Sequence, residues 1–503
     1  MSFPLVLLQP GVRNETQDTE LTTVKLTPNA HSQFQTRFVI PKQGSVLDSN
    51  SALVWRVSWD GFDLTKIGYE RVCLKQLAGG LTTLMRARFY IGGREIFSSQ
   101  DVGHLIHIKR LAADPDYQEE MIDKEIGSAH GVVCTADGQF KPGPDGVIAV
   151  PGGAVASRRY VRSLGSYSTT PSLDKSIECS VLLSDIFSAL ESLSLPMALD
   201  QMRIEIDWET DFDEVATVLL EGDGNGGQAA ITDARKVIKI EEPRLLLDYL
   251  TFNEELRAGL GQVLQDGMVL PYVHTSMSTK VIPQNTGGSR TDDVLLALQG
   301  KLLMKMYVSH RFANVINGAR TAWQTLQGRC RSQRGTNQSY NLFINDLAIH
   351  DLPVDSKSMQ YSFLEMTHQG APSIMPGVYG DLELYNQAPT ADNTVIAGAF
   401  DQAGTTYPSA AANTTSITAT QIKDGQAGTQ SYIGFDLSKY DEGSRVVPAN
   451  AGYRVGSSAV ILRLTQDGGG ANTPQRDPKT VQVFAEEVRL LQVRGGVVDT
   501  MEA

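Results

Sequence analysis

His104 and His107 lie three residues apart, and Asp101 precedes the first by another three. Positions at that spacing share one face of a helix, so the trio could present two imidazoles and a carboxylate to a divalent metal. A helix flank whose imidazoles make ordinary polar contacts is the simpler reading. Asp207, Glu209, Asp211, Asp213 and Glu214 offer the oxygen ligands that calcium takes, although a solvated strand end has the same composition. Two basic groups stand out: Arg158, Arg159 and Arg162, then Arg320, Arg329, Arg331 and Arg334. They could hold phosphates or pair with acidic neighbours at a subunit contact. The net charge of −13 favours subunit contacts, because coating nucleic acid takes a surplus of clustered Lys and Arg.

Cys73, Cys134, Cys179 and Cys330 form no paired motif. That argues against zinc or a redox dithiol and for reduced, buried thiols in a reducing compartment. Residues 222–227 are glycine-rich but lack the lysine of a phosphate-binding loop, and no nucleophile-elbow or zinc-protease motif occurs. No catalytic site, metal or cofactor is therefore expected, and the protein reads as a non-enzyme.

The elements that must carry these residues are mostly strands. The chain's 503 residues, at roughly 150 per domain, suggest two to four domains. With 41% apolar and 20% charged residues it can bury a sizeable core. The N-terminus lacks a basic run and its apolar run is short, so no signal peptide is read there. No window approaches 18 uninterrupted apolar residues, as a membrane span would need. A soluble protein kept on the cytosolic side is expected.

Residues 1–30 read as an arm, polar beyond Pro10 and without periodicity. Residues 34–40 are strand-like, and Leu53, Trp55, Val57 and Trp59 share one face of the next strand. Residues 86–97 surround Gly92-Gly93, two residues free to take the positive φ that a tight hairpin needs. Ser98 and Asp101 resemble a capping box for a short helix with Val102, Leu105 and Ile106 on one face, stopping before Asp114-Pro115. Residues 131–172 read as long loops, and strands follow at 177–184, 202–208 and 237–247. Asn253 then caps a helix lined by Leu256, Leu260 and Leu264.

The same grammar repeats. Residues 341–349 echo the hairpin with Asn345-Asp346 in place of Gly92-Gly93, and Ile344 follows Ile91 by 253 positions. Leu302 stands 249 positions after Leu53, and Leu437-Ser438 stands 254 after Leu183-Ser184. Glu486-Glu-Val-Arg-Leu-Leu follows Glu241-Glu-Pro-Arg-Leu-Leu by 245. Four features in one order at nearly constant offset imply tandem duplication of one β-rich domain. A weaker helical pattern, Met359, Phe363 and Met366, follows the second hairpin, and residues 377–430 read as a long surface insertion. The expected division is an N-terminal arm (1–30), a first domain (31–250), an inter-domain helix (251–268), a second domain (269–495) and a tail (496–503).

Short strands, a mid-domain hairpin, one short helix, long loops and no β-helix-β rhythm describe an all-β chain. The expected fold is two tandem eight-stranded jelly-roll β-sandwiches, a double jelly roll. The Ile91-Gly92-Gly93 turn with Ile96, entering a short helix, resembles the first domain of double jelly-roll major capsid proteins. That family occurs in nucleocytoplasmic large DNA viruses, virophages and polinton-like viruses. Residues 195–206 are similar to its Leu-Pro turn feeding an Arg-Ile-Glu strand, and residues 248–257 to its Asp-Tyr strand end before an inter-domain helix. The resemblance implies a structural role in the shell of an icosahedral double-stranded DNA virus, with the protein located in the virion. It implies homotrimers forming pseudo-hexameric capsomers, with neighbouring capsomers, penton and minor capsid or cement proteins as partners and no specific nucleic acid. The arm would lie at the shell's inner base and residues 377–430 would face outward. A minor capsid or fibre protein of the same fold is one alternative. A carbohydrate-binding jelly roll is another, and Tyr272 and Tyr361 are the candidates for the exposed aromatic platform it would need.

Overall fold

Alternation sets the strands. Met202, Ile204, Ile206 and Trp208 are buried while Arg203, Glu205 and Asp207 between them are half-buried, the period-two pattern of a strand with one face on a core. In the computed structural model the described residues are 20–111, 176–220, 237–312, 330, 337–349, 353–354, 432–437, 452–466 and 479–502, apart from 43–44, 49, 61–70, 75–77, 193–194, 197–199, 252–253, 284–287 and 495–496.

The first half supplies β1 (Glu20–Leu26), β2 (Gln35–Ile40), β3 (Ala52–Asp60), β4 (Leu84–Ile91), β5 (Arg94–Gln100), β6 (Ser176–Leu182), β7 (Met202–Trp208) and β8 (Val237–Thr251). All pair antiparallel and in nested order: β1 with β8, β2 with β7, β3 with β6, β4 with β5. Contacts of β8 with β3 and of β7 with β4 complete two sheets, β1-β8-β3-β6 and β2-β7-β4-β5. A long hairpin rolled up on itself in this way is a jelly roll.

The second half supplies β9 (Met268–Ile282), β10 (Arg290–Leu296), β11 (Leu302–Phe312), β12 (Asn337–Ile344), β13 (Leu347–Ala348), β14 (Ile433–Asp436), β15 (Val460–Gln466) and β16 (Lys479–Arg494). Its sheets are β9-β16-β11-β14 and β10-β15-β12-β13. Every strand of the first roll thus has its counterpart eight strands later, and the sequence echoes fall on counterparts. Leu53 and Leu302 lie on β3 and β11, Leu183 and Leu437 directly follow β6 and β14, and Glu241 and Glu486 lie on β8 and β16. Gly92 and Gly93 take φ of 57° and 82°, Asn345 and Asp346 of 53° and 64°, the left-handed pair of a type I′ turn in both hairpins.

Two expectations change. The arm ends earlier than its composition implies, because β1 (residues 20–26) pairs along its whole length with β8. Its side chains are nearly all exposed, so no apolar face marks it; backbone hydrogen bonds to β8 hold it as a strand. Likewise the tail expected at 496–503 contains β17 (Val497–Glu502), paired with the end of β16. Between the rolls runs a helix, Glu254–Asp266, with Leu264 buried. The expectations placed on residues 131–172, 222–227 and 377–430, and on Met359, Phe363 and Met366, lie outside the described residues, as do the side chains of Leu256 and Leu260.

Trp55, Phe38, Phe89, Phe97, Phe187 and Trp208 centre the first core, and Met306, Tyr340, Phe435 and Leu462 the second. Leu270, Tyr272, Leu491 and Val493 of the second roll join the first cluster, so the rolls share apolar packing as well as a chain.

Candidate functional site

The polar residues that sequence spacing singled out meet at the seam between the rolls. After β5 the chain enters α1 (Val102–Leu111). Ser98 is still within β5, so no capping box forms; the N–H of Leu105 bonds instead to the backbone oxygen of Asp101, 3.1 Å. Gly103 lets this turn approach the backbone, since a Cβ there would fall 1.8 Å from the oxygen of Leu81. Val102 and Ile106 enter the first core. A second set of side chains on the same helix turns to the second roll.

The Asp101 carboxylate accepts from Nε2 of Gln482 on β16 at 2.7 Å and lies 3.6 Å from the guanidinium of Arg311 on β11. Arg311 also donates to Nδ1 of His104 at 3.0 Å. Lys109 pairs with Glu486 at 2.5 Å. The His104 ring meets Tyr432 and Phe484 edge-on, and His107 meets Tyr432 in the same way. Farther along, Ser188 and Thr275 hydroxyls are 3.0 Å apart, His274 packs on Phe97, and the Tyr272 hydroxyl donates to the oxygen of Ile96 at 3.1 Å. Arg94 pairs with Asp499 of β17.

Burial gives this seam its energetics. Glu486 and Glu487 are 4% and 1% exposed, where an unpaired carboxylate would be costly. Each has a cation: Lys109 for Glu486, and for Glu487 both Lys301 (2.7 Å) and Arg489 (2.5 Å). Burial, followed by the charges of Arg489 and Lys301, holds His274 well below the ordinary imidazole pKa. Burial pushes the Tyr272 phenol up to about 12. These groups lock a contact; no nucleophile–base arrangement is built from them.

The contact is heterologous. The α1 side of the first roll covers the outer face of β9-β16-β11. The counterpart face of the first roll, on β1-β8-β3-β6, carries mostly half-buried and exposed side chains, with Val54 and Ser58 buried. It carries Leu21, Leu182 and Val237, each more than 40% exposed, around an ion-pair network in which Glu178 meets Arg244 at 2.8 Å and Arg56 at 3.6 Å.

Asp101, His104 and His107 therefore serve the seam as polar contacts. In the acidic group, Asp207 accepts from Gln35 and Arg88, and Glu209 from the N–H groups of Thr210 and Asp211. Among the described residues no three His, Cys, Asp or Glu side chains gather to hold a metal. Tyr272 is 1% exposed with its hydroxyl engaged, so it offers no sugar platform, contrary to the carbohydrate alternative; Tyr361 lies outside the described residues. Cys179 and Cys330 are buried. Arg158, Arg159, Arg162, Arg320, Arg329, Arg331 and Arg334 lie outside the described residues. Among these no helix is long and apolar enough to cross a membrane. Sequence reading missed Lys109, His274, Lys301, Arg311 and Arg489 as members of one site. The repeated Glu-Glu of β8 and β16 was the available signal, since one copy would need cations if buried.

No family model and no curated protein sequence matches the chain. Solved structures do. A chain in the structure of the Sputnik virophage is 12% identical with a TM-score of 0.55, over 98% of this chain and 92% of that one. The Faustovirus major capsid protein is 10% identical with a TM-score of 0.54, over 97% and 92%. A chain of the PBCV-1 virus capsid is 11% identical with a TM-score of 0.52, over 98% of each. With two rolls of one topology and these neighbours over nearly its full length, the chain has the double jelly-roll fold of viral capsid proteins.

Proposed function

We propose that the protein is the major capsid protein of an icosahedral double-stranded DNA virus, a structural component of the virion rather than an enzyme. Three copies would close head to tail into a pseudo-hexameric capsomer. The observation that carries this reading is the unequal fate of two counterpart faces. Within the chain, the α1 side of one roll covers the outer sheet of the next. The counterpart face of the first roll leaves Leu21, Leu182 and Val237 exposed around the part-exposed charges of Arg56, Glu178 and Arg244. Repeating the internal contact between chains would cover it with the second roll of another copy. Heterologous contacts of that kind give a closed ring when the rotation closes, and six similar rolls from three chains make a near-hexagonal tile. The fold neighbours among capsid proteins support the same reading. In it, residues 1–19 reach neighbouring capsomers or minor capsid proteins, residues 377–430 face outward, and the two arginine groups make subunit contacts.

Native mass spectrometry tests the ring. About three chains per particle are expected, with hexagonal outlines in negative stain; a stable monomer at micromolar concentration would sink the proposal. Deleting residues 2–19 should leave trimers intact and impair shell assembly. Loss of the trimer as well would reassign the arm.

A further inference from the structure

We infer that the seam between the two jelly rolls is a pH-sensitive latch, closed on neutral His104 and His274 and opened when they take up protons. The inference concerns the single chain and does not depend on the capsid reading.

His104 is fully buried, and Arg311 approaches its Nδ1 at 3.0 Å. A guanidinium can only donate, so Nδ1 accepts, the ring proton sits on Nε2, and the closed seam selects the neutral imidazole. A second proton would occupy Nδ1 and turn an N–H toward the guanidinium. Among the described residues the second roll brings Arg311 of β11, Phe484 of β16 and Tyr432 against the ring, with Gln482 and Glu486 on the same face of β16 as Phe484; Asp101, His107 and Lys109 lie on the same segment of the first roll as His104. Asp101 already serves Gln482 and Arg311, and Glu486 serves Lys109.

His274 repeats the arrangement on β9. It packs on Phe97 of β5, lies opposite Glu487 in the β9–β16 register, and feels the charges of Arg489 and Lys301. Both of those cations are engaged with Glu487, and Nδ1 of His274 meets no hydrogen-bond partner among the described residues. His310, also buried, packs on Tyr340 within the second roll.

The sign follows from linkage. Above the ordinary imidazole pKa of about 6.5 both histidines are neutral whether the seam is open or closed, and pH has no leverage. Below it the open seam binds more protons than the closed one, so opening gains about tenfold per pH unit for each histidine. That gain continues until the closed form itself titrates.

Hydrogen exchange of the full-length protein at pH 7.5 and 5.0, corrected for intrinsic rates, tests the latch. Amides of α1 should lose at least tenfold in protection at pH 5.0, while those of β2 and β7 in the first core hold theirs. The His104→Asn/His274→Gln variant keeps an acceptor for Arg311 and titrates at neither position; its seam protection should be nearly equal at the two pH values. Seam protection in the wild type that does not change with pH overturns the latch. So does an equal loss in β2 and β7, which would be global acid unfolding, or an undiminished response in the double variant. If that variant does not fold, His104→Asn alone must lose about half of the logarithmic response; a full response overturns the proposal.

Discussion

Glu241-Glu242 on β8 and Glu486-Glu487 on β16 occupy the same place in two rolls of one topology, and their surroundings are opposite. The first pair is exposed, and Glu242 sits at φ 48° in an irregular stretch of the β8–β3 ladder. The second pair is buried and held by Lys109, Lys301 and Arg489. The matching strands of the two rolls carry the same acids, and what covers each strand decides their energetics. In the second roll α1 of the first covers Glu486, which became part of a docking site, while Glu487 on the other face of the strand is held by Lys301 and Arg489 of its own roll.

The largest effect should come from removing a seam cation. Lys109→Met removes the cation bonded to buried Glu486, and breaking a buried pair from one side costs about 3–5 kcal/mol. Its mirror on the open face, Arg56→Met, removes one member of a pair whose side chains are 39% and 47% exposed, and should cost under about 1 kcal/mol. Urea midpoints of the two variants decide the point. Similar losses would mean that the two faces do not differ as their burial implies.

The hairpin turns sharpen the contrast at intermediate size. Both need two left-handed residues, and both lean on the segment entering the central strand of the same sheet. The N–H of Gly92 bonds to the oxygen of Gln201 at 3.0 Å, just before β7; Oδ1 of Asn345 accepts from the N–H of Gly456 at 2.9 Å, before β15. A Cβ at Gly92 would fall 2.6 Å from Oδ2 of Asp200. Gly92→Val adds a β-branched side chain at positive φ and should cost about 2–3 kcal/mol. Asn345→Gly loses one hydrogen bond, about 1 kcal/mol, partly offset because glycine tolerates the backbone. Thermal unfolding should rank the variants in that order; the reverse order would show that side-chain bonding outweighs the left-handed requirement.

These turns were legible because their chemistry is local: Gly-Gly and Asn-Asp tolerate φ > 0 whatever surrounds them. Leu53, Trp55 and Val57 announced a strand by alternation, and the repeat of Glu-Glu-x-Arg-Leu-Leu announced the duplication. Neither β1 nor the seam could be read in that way. β1 has polar and apolar residues without a buried face, and only its pairing with β8 defines it. Asp101 and, on α1, His104 and Lys109 lie where a solvated flank would put them, yet residues 101–108 are all buried, because a second roll lies against the face that periodicity assigns to water. A helix's own sequence reports its polar face, not what will cover it.

The smallest effect tests how far the copies remain interchangeable. On the β2–β7 ladder Arg37 lies opposite Glu205, and at the counterpart position on β10–β15 Asp293 lies opposite Arg463. The pair has exchanged its signs between the rolls. Arg463 grips Asp293 through two hydrogen bonds, 2.8 and 3.0 Å, and lies over the Phe343 ring. The hydrogen bond from Arg463, reinforced by its charge, holds the Asp293 carboxyl below the usual carboxylate range. The stabilisation is therefore present above the ordinary Asp pKa of about 3.9 and is lost as pH falls through the lower folded value. Both side chains are more than 40% exposed, so it should amount to less than about 1 kcal/mol. Asp293→Arg alone sets two cations opposite each other and should lose that and slightly more. Asp293→Arg/Arg463→Glu restores the first roll's order and should recover most of the loss at pH 7, measured as the coupling in a double-mutant cycle. At pH 3 the coupling of the wild-type pair should shrink. A double variant no more stable than the single would show that the position, and not only the sign, has diverged, because Arg463 also serves Phe343 and its removal forfeits that contact.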